Sequence, residues 1–219
     1  MLALALSTHG IDDTIFHVAN VLEVPVLLLA LLALADVIFE LGTFAVEVRT
    51  RRRRGVDLEE AATNSRRELR ANDPGAASAT LTPIARSAAM AGTLGIVVSH
   101  ALLPGGEHRL SKALADFDFD SQRRLARTRL LVRAGPALGL MGTLIPLSPA
   151  LTGLAQGDVS RLSENLRLAF SVTVLGLLIG AVAFGLSLYR DRMYGQDLSD
   201  LEYVAAVMSD PRDVSDEAA

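Results

Sequence analysis

The sequence has no cysteine, no tryptophan and a single lysine, Lys112, and only 5% of its residues are aromatic. Without cysteine there is no disulfide framework, no thiolate nucleophile and no Cys-ligated zinc or iron–sulfur site. The lone lysine sits in HRLSKAL, which excludes a Walker A phosphate cradle, and neither a GxGxxG fingerprint nor an HExxH helix occurs. A GxSxG nucleophile elbow is missing as well. The formal net charge of −4 provides no electrostatic footprint for nucleic acid. Four histidines are present, and His9, Asp12, Asp13 and His17 form their only grouping with acids. It reads as a polar segment capping a helix rather than as a metal site. No cofactor is expected, and the chain is not expected to be an enzyme.

What the sequence has is apolar length. Half of its 219 residues are hydrophobic and mean hydropathy is +0.35, although 21% of residues are charged. Such a total requires charge and apolarity to be segregated. Three runs reach the roughly 20 apolar residues a bilayer demands: 21–46, 135–155 and 168–189. Each must be helical, because unsatisfied backbone groups in hydrocarbon are costly. A fourth stretch, Met90–Leu103, is about 14 residues long, contains His100 and fits a packed soluble helix better than a span, so three spans are expected with four as the alternative. The fold class expected is therefore an all-α integral membrane protein with three long transmembrane helices and a large helical loop. MLALALSTHG lacks the basic start of a secretory signal, so the first run is expected to remain in the mature protein.

Basic residues set the expected orientation. None precedes Arg49; Arg49 and Arg51–Arg54 then follow the first run at once, and most of the 21 basic residues lie between 49 and 133. The positive-inside rule places residues 1–20 outside, 47–134 inside, 156–167 outside and the tail 190–219 inside, in a cell membrane. Within the loop, 57–71 reads as a helix with early acids and late arginines, broken at Asn72-Asp73-Pro74-Gly75. A second helix is expected over Leu81–Leu103, and a third from Leu110 or Ser121 into the second span. The end, SDPRDVSDEAA, is acidic and reads as frayed.

Helical spacing sorts the faces. The third span aligns Ala169, Thr173, Gly176, Gly180, Ala183 and Ser187 on one side, with Gly176 and Gly180 forming a GxxxG suited to close helix packing. The second aligns Gly135, Gly139, Gly142, Pro146 and Gly153, with Thr143 beside them; Pro146 and Pro149 each remove a backbone donor, so a kink or exposed carbonyls are expected. A lone intramembrane threonine most often bonds its own helix, but one on each of two small-residue faces points to a pore. The first span carries Asp36, Glu40, Thr43 and Glu47 on one face. Intramembrane carboxylates mark ion pathways by default, which makes Asp36 and Glu40 candidates for the ion path; Glu47, beside the arginines, reads as an ion-pair partner.

Pro136-Ala137-Leu138-Gly139-Leu140-Met141-Gly142-Thr143 and Val172-Thr173-Val174-Leu175-Gly176-Leu177 together resemble the MotA/TolQ/ExbB proton channel family. ExbB-like members read approximately Pro-x-x-Gly-Leu-x-Gly-Thr in the second span and Ala-Thr-Ala-x-Gly-Leu in the third. Three spans, instead of the four of flagellar MotA, are similar to the ExbB/TolQ branch. The resemblance implies a proton-channel and stator subunit of an inner-membrane motor, a homo-oligomer, as a pentamer, around an ExbD/TolR-like single-span partner with an intramembrane Asp. Thr143 and Thr173 would then line the proton pathway, and Gly139, Gly142, Gly176 and Gly180 would pack the helices. The glutamate that ExbB-like members carry five residues before the third-span threonine is Leu168 here. The acidic role is left to Asp36 or Glu40, or to Glu164 one turn earlier. The alternatives are a non-conducting membrane scaffold and a membrane subunit of a solute transporter.

Overall fold

The structure, a computed structural model, describes residues 17–18, 21–51 and 57–210. They form six helices and no strand: α1 (Glu23–Arg51), α2 (Leu58–Arg70), α3 (Pro74–Leu81), α4 (Ala88–His100), α5 (Gly106–Ala155) and α6 (Val159–Ser209). Helices α1, α5 and α6 are long and apolar enough to cross a membrane, whereas α4, at 13 residues, is too short. His9, Asp12, Asp13, Arg52–Arg54 and residues 211–219 lie outside the described residues.

Local chemistry explains where the helices begin and end. Asp57 caps α2 by accepting from the Glu59 N–H at 3.0 Å. Asn72 closes α2 in the left-handed region (φ 63°), with Asp73 N–H on Glu68 C=O and Asn72 N–H on Leu69 C=O; this is the Schellman arrangement, and Asn is one of the few side chains that tolerates it. The helix expected over Leu81–Leu103 is shorter: α3 ends at Leu81 and α4 begins only at Ala88. Pro83 has no N–H to offer the preceding turn, and Ser87 starts α4 afresh by accepting from Met90 N–H at 3.1 Å.

The connection between α5 and α6 is three residues, Gln156–Asp158, and 159–167, expected as loop, are the opening turns of α6. Gly157 adopts φ 80° and Asp158 N–H reaches back to Gly153 C=O at 2.9 Å. Asp158 Oδ1 then accepts from Arg161 N–H at 3.0 Å. One residue thus ends one helix and caps the next. Helix α5 runs unbroken through Pro136, Pro146 and Pro149.

The chain forms two compact units. Unit one holds α1 up to Gly42 with Arg127–Ser187 of α5 and α6. Unit two holds Thr43–Ala126 and the chain from Leu188 onward. In unit two, the helices of the loop pack on residues after Tyr189, which composition alone describes as a tail. They are helical through Ser209, and Leu201, Val204 and Met208 are fully buried with Ala62, Leu81, Met90 and Val97. Arg66 and Arg70 of α2 donate to Asp210 C=O at 3.2 and 2.9 Å, placing cations at the negative end of α6. Leu201→Ala is expected to cost about 2–5 kcal/mol, whereas truncating the exposed Tyr203 to Ala should stay within about 0.5 kcal/mol. Thermal or denaturant unfolding of the purified protein checks both.

Candidate functional site

Unit one is built on a seam between α5 and α6. Val26, Ala33 and Val37 of α1 pack with Leu131, Leu138, Ile179 and Ala183, while Leu32, Phe39, Leu144, Phe170 and Val174 face outward, as lipid-facing or partner-facing side chains do. The seam leaves no room for side chains at its glycines. A Cβ on Gly176 would lie 2.4 Å from Gly135 C=O and 2.7 Å from Gly139 Cα. One on Gly142 would lie 2.2 Å from Val172 Cγ1, and one on Gly180 would lie 2.8 Å from the Pro136 ring. A Cβ on Gly139 would stand 3.3 Å from Thr173 Cα. The small-residue faces of the two helices therefore meet each other.

The seam holds Thr173 in a bridging position. Its hydroxyl lies 3.2 Å from Gly139 C=O across the seam and 3.1 Å from Ala169 C=O in its own helix. Thr143 sits on the flank of the same face of α5, partly buried, and its hydroxyl donates to Leu140 C=O at 2.7 Å. This is the back-bonding to its own helix that a lone threonine most often shows. A hydroxyl whose proton is engaged still offers acceptor lone pairs, so both threonines present acceptor oxygens.

The acids of α1 stand apart from these hydroxyls, whose bonds go to backbone carbonyls. Asp36 is exposed and has no polar partner among the described residues; Glu40 is partly buried and has an interaction partner. Leu168 is exposed, as is Glu164. Among the described residues no group of histidines and acids is arranged to hold a metal ion.

Unit two contains a charged cluster whose partners are far apart in sequence. Asp197, completely buried, accepts from both terminal nitrogens of Arg51 at 3.0 and 2.5 Å, and Nη1 of Arg86 stands 3.3 Å away. The same nitrogen lies 2.7 Å from Asp200. Glu47, expected to be an ion-pair partner, contacts Arg51 at 3.6 Å and also Arg190 at 3.7 Å, and Arg190 donates to Thr43 Oγ1 at 3.1 Å. Burial, followed by the charge of Glu47, raises the Tyr194 hydroxyl above its ordinary value of 10.0, while Arg190 and Arg124 pull it back. Periodicity had singled out Glu47 alone. Asp197 lies in a polar stretch of α6 and carries no local signal of burial.

Residues 105–199 match the model of the MotA/TolQ/ExbB proton channel family. No curated protein matches the chain. The matched stretch contains both threonines and the glycine seam, together with Arg190 and Asp197, and excludes α1 and Arg86. Gly176→Ala is expected to destabilise unit one by about 1–3 kcal/mol, overriding the roughly 1 kcal/mol helix-propensity gain of alanine. Gly185→Ala, where a Cβ meets nothing within 4 Å, should be neutral or stabilising. Melting of the two variants side by side in one detergent is the check.

Proposed function

We propose that the protein is a proton-channel subunit of a membrane motor, working as a homo-oligomer, a pentamer, around an ExbD/TolR-like single-span partner that carries an intramembrane aspartate. The observation that carries this reading is the family match over 105–199, which spans both helices of the seam and both threonines. Its chemistry suits the task. The Thr143 and Thr173 oxygens accept, so they favour the protonated carboxylic acid of a partner without holding a permanent charge that would trap the proton. A proton crossing the membrane potential releases about 2.3 kcal/mol per 100 mV, enough per step to bias the partner's position. Asp36, exposed on α1, supplies polarity that Leu168 does not. The work done is transport across the envelope or a related task.

One observation favours the alternative, a non-conducting scaffold: both hydroxyl protons are already engaged by helix carbonyls. Co-reconstitution with the partner in proteoliposomes separates the readings. Replacing Thr143 and Thr173 together by Val should lower partner-dependent proton flux by about tenfold or more, the scale of losing one interaction of about 1.4 kcal/mol. Unchanged flux excludes the channel role, and absence of flux in the unaltered protein favours the scaffold.

The reading includes the orientation drawn from the arginines, with the turn at Gln156–Asp158 outside and α2–α4 inside. Because the sequence has no cysteine, single cysteines report side directly. Gln156→Cys should react with an impermeant maleimide on intact cells, and Glu59→Cys only after permeabilisation; the reverse pattern inverts the orientation.

A further inference from the structure

We infer that unit two carries a binding site for a phosphate-bearing anion, of the kind presented by an acidic phospholipid headgroup, in the cavity lined by Val48, Arg51, Arg86, Tyr189, Met193 and Gln196. The cavity is open and has a volume of about 290 Å³. Its wall is divided by chemistry. Arg86 and Gln196 form a polar side backed by Arg51, while Val48, Met193 and Tyr189 form an apolar side.

The donors are held in place yet incompletely used. Both terminal nitrogens of Arg51 are taken by Asp197 and its Nε is enclosed, so Arg51 fixes Asp197 and offers no donor to the cavity. Asp197 and Asp200 share Nη1 of Arg86, so its Nε and Nη2 are not engaged by these acids. A phosphate oxygen is the acceptor that this remaining guanidinium edge of Arg86 fits best. The acids behind the arginines fix their planes in advance, so little rotamer freedom is lost on binding.

Charge has to be counted on every side. Glu47, Asp197 and Asp200 balance Arg51, Arg86 and Arg190, so the cluster itself is neutral and attracts through its oriented donors. Arg49 and Arg192, both exposed on the same helices, are opposed by the exposed Asp191, which leaves one net positive charge for an anion to meet on approach. Sequence depth fits a headgroup. Val48 and Tyr189 stand at the polar ends of the apolar runs of α1 and α6, and tyrosine is enriched at that level of a bilayer. Phe44 meets the Tyr189 ring edge-on, with centroids 5.1 Å apart, which steadies the apolar wall.

The test uses the full-length protein in detergent, offered equimolar short-chain phosphatidylglycerol and phosphatidylcholine, with bound lipid counted by native mass spectrometry. Phosphatidylglycerol should be retained about tenfold more than phosphatidylcholine. Arg86→Gln combined with Asp200→Asn, which keeps the charge balance, should abolish the preference. Should that pair fail to fold, Met193→Glu puts a carboxylate in the wall without touching an ion pair and should abolish it too. Displacement by millimolar inorganic phosphate identifies a free phosphate group as sufficient; resistance to it assigns the apolar wall to a lipid. Equal retention of the two lipids, or a preference that survives both substitutions, overturns the site. None of these outcomes depends on proton flux, so the site and the channel reading stand or fall separately.

Discussion

Two helix backbones in unit one approach until there is no space for a Cβ between them, and the rest of that unit follows from this contact. Gly176 lies against Gly135 and Gly139, Gly180 against Pro136, and Gly142 against Val172. In lipid, apolar burial does not drive helices together, so association rests on close van der Waals packing and on hydrogen bonds across the contact. The seam provides both. Its glycines set the distance, and that distance brings the Thr173 hydroxyl within reach of a carbonyl on the other helix. A bulkier residue at Gly139 or Gly176 would move that oxygen as well as the helix.

Unit two is organised by a different rule. Its apolar core gathers short helices around the end of α6, but its charged groups are placed by mutual constraint. Asp197 is buried between two guanidiniums, and a buried carboxylate is tolerated only when it is paired and hydrogen-bonded. Taking away Arg51 would leave Asp197 to Arg86 alone, at 3.3 Å, and would remove its two shortest hydrogen bonds. The cluster therefore ties the polar end of α1, the turn before α4 and α6 to one another.

The chemistry of the two threonines fits the proposed channel through acceptance, not donation. Back-bonding is commonly taken as a sign that a membrane threonine has no further role. The same bond, however, turns the oxygen's remaining lone pairs outward as acceptors. A wall of acceptors favours the neutral acid over its carboxylate, and a carrier that crosses a low-dielectric region must be neutral while it does so. Leu168 adds no charge to that helix face.

Much of this was legible from one dimension. Bilayer thickness imposes a length on any spanning helix, so three apolar runs sufficed to place α1, α5 and α6. The requirement that helix packing in lipid use small residues made Gly139, Gly142, Gly176 and Gly180 visible as a periodic stripe. Helix ends were readable wherever a side chain within a few residues caps them, as at Asp57 and Asn72. Other features were not. The split between α3 and α4, the three-residue turn at Gly157 and the helical path after Tyr189 depend on which end signal wins. In the last case, burial of Leu201 and Met208 by α2–α4 outweighs a polar composition. The Asp197 cluster lay beyond any local reading. Asp197 and Arg51 are 146 residues apart, and a carboxylate's burial is decided by which cations the fold brings to it. The sequence alone settles lengths and faces, because these follow from periodicity and solvent. Only the tertiary structure decides which faces meet and which charges are shared, because those depend on groups that the chain's linear order keeps apart.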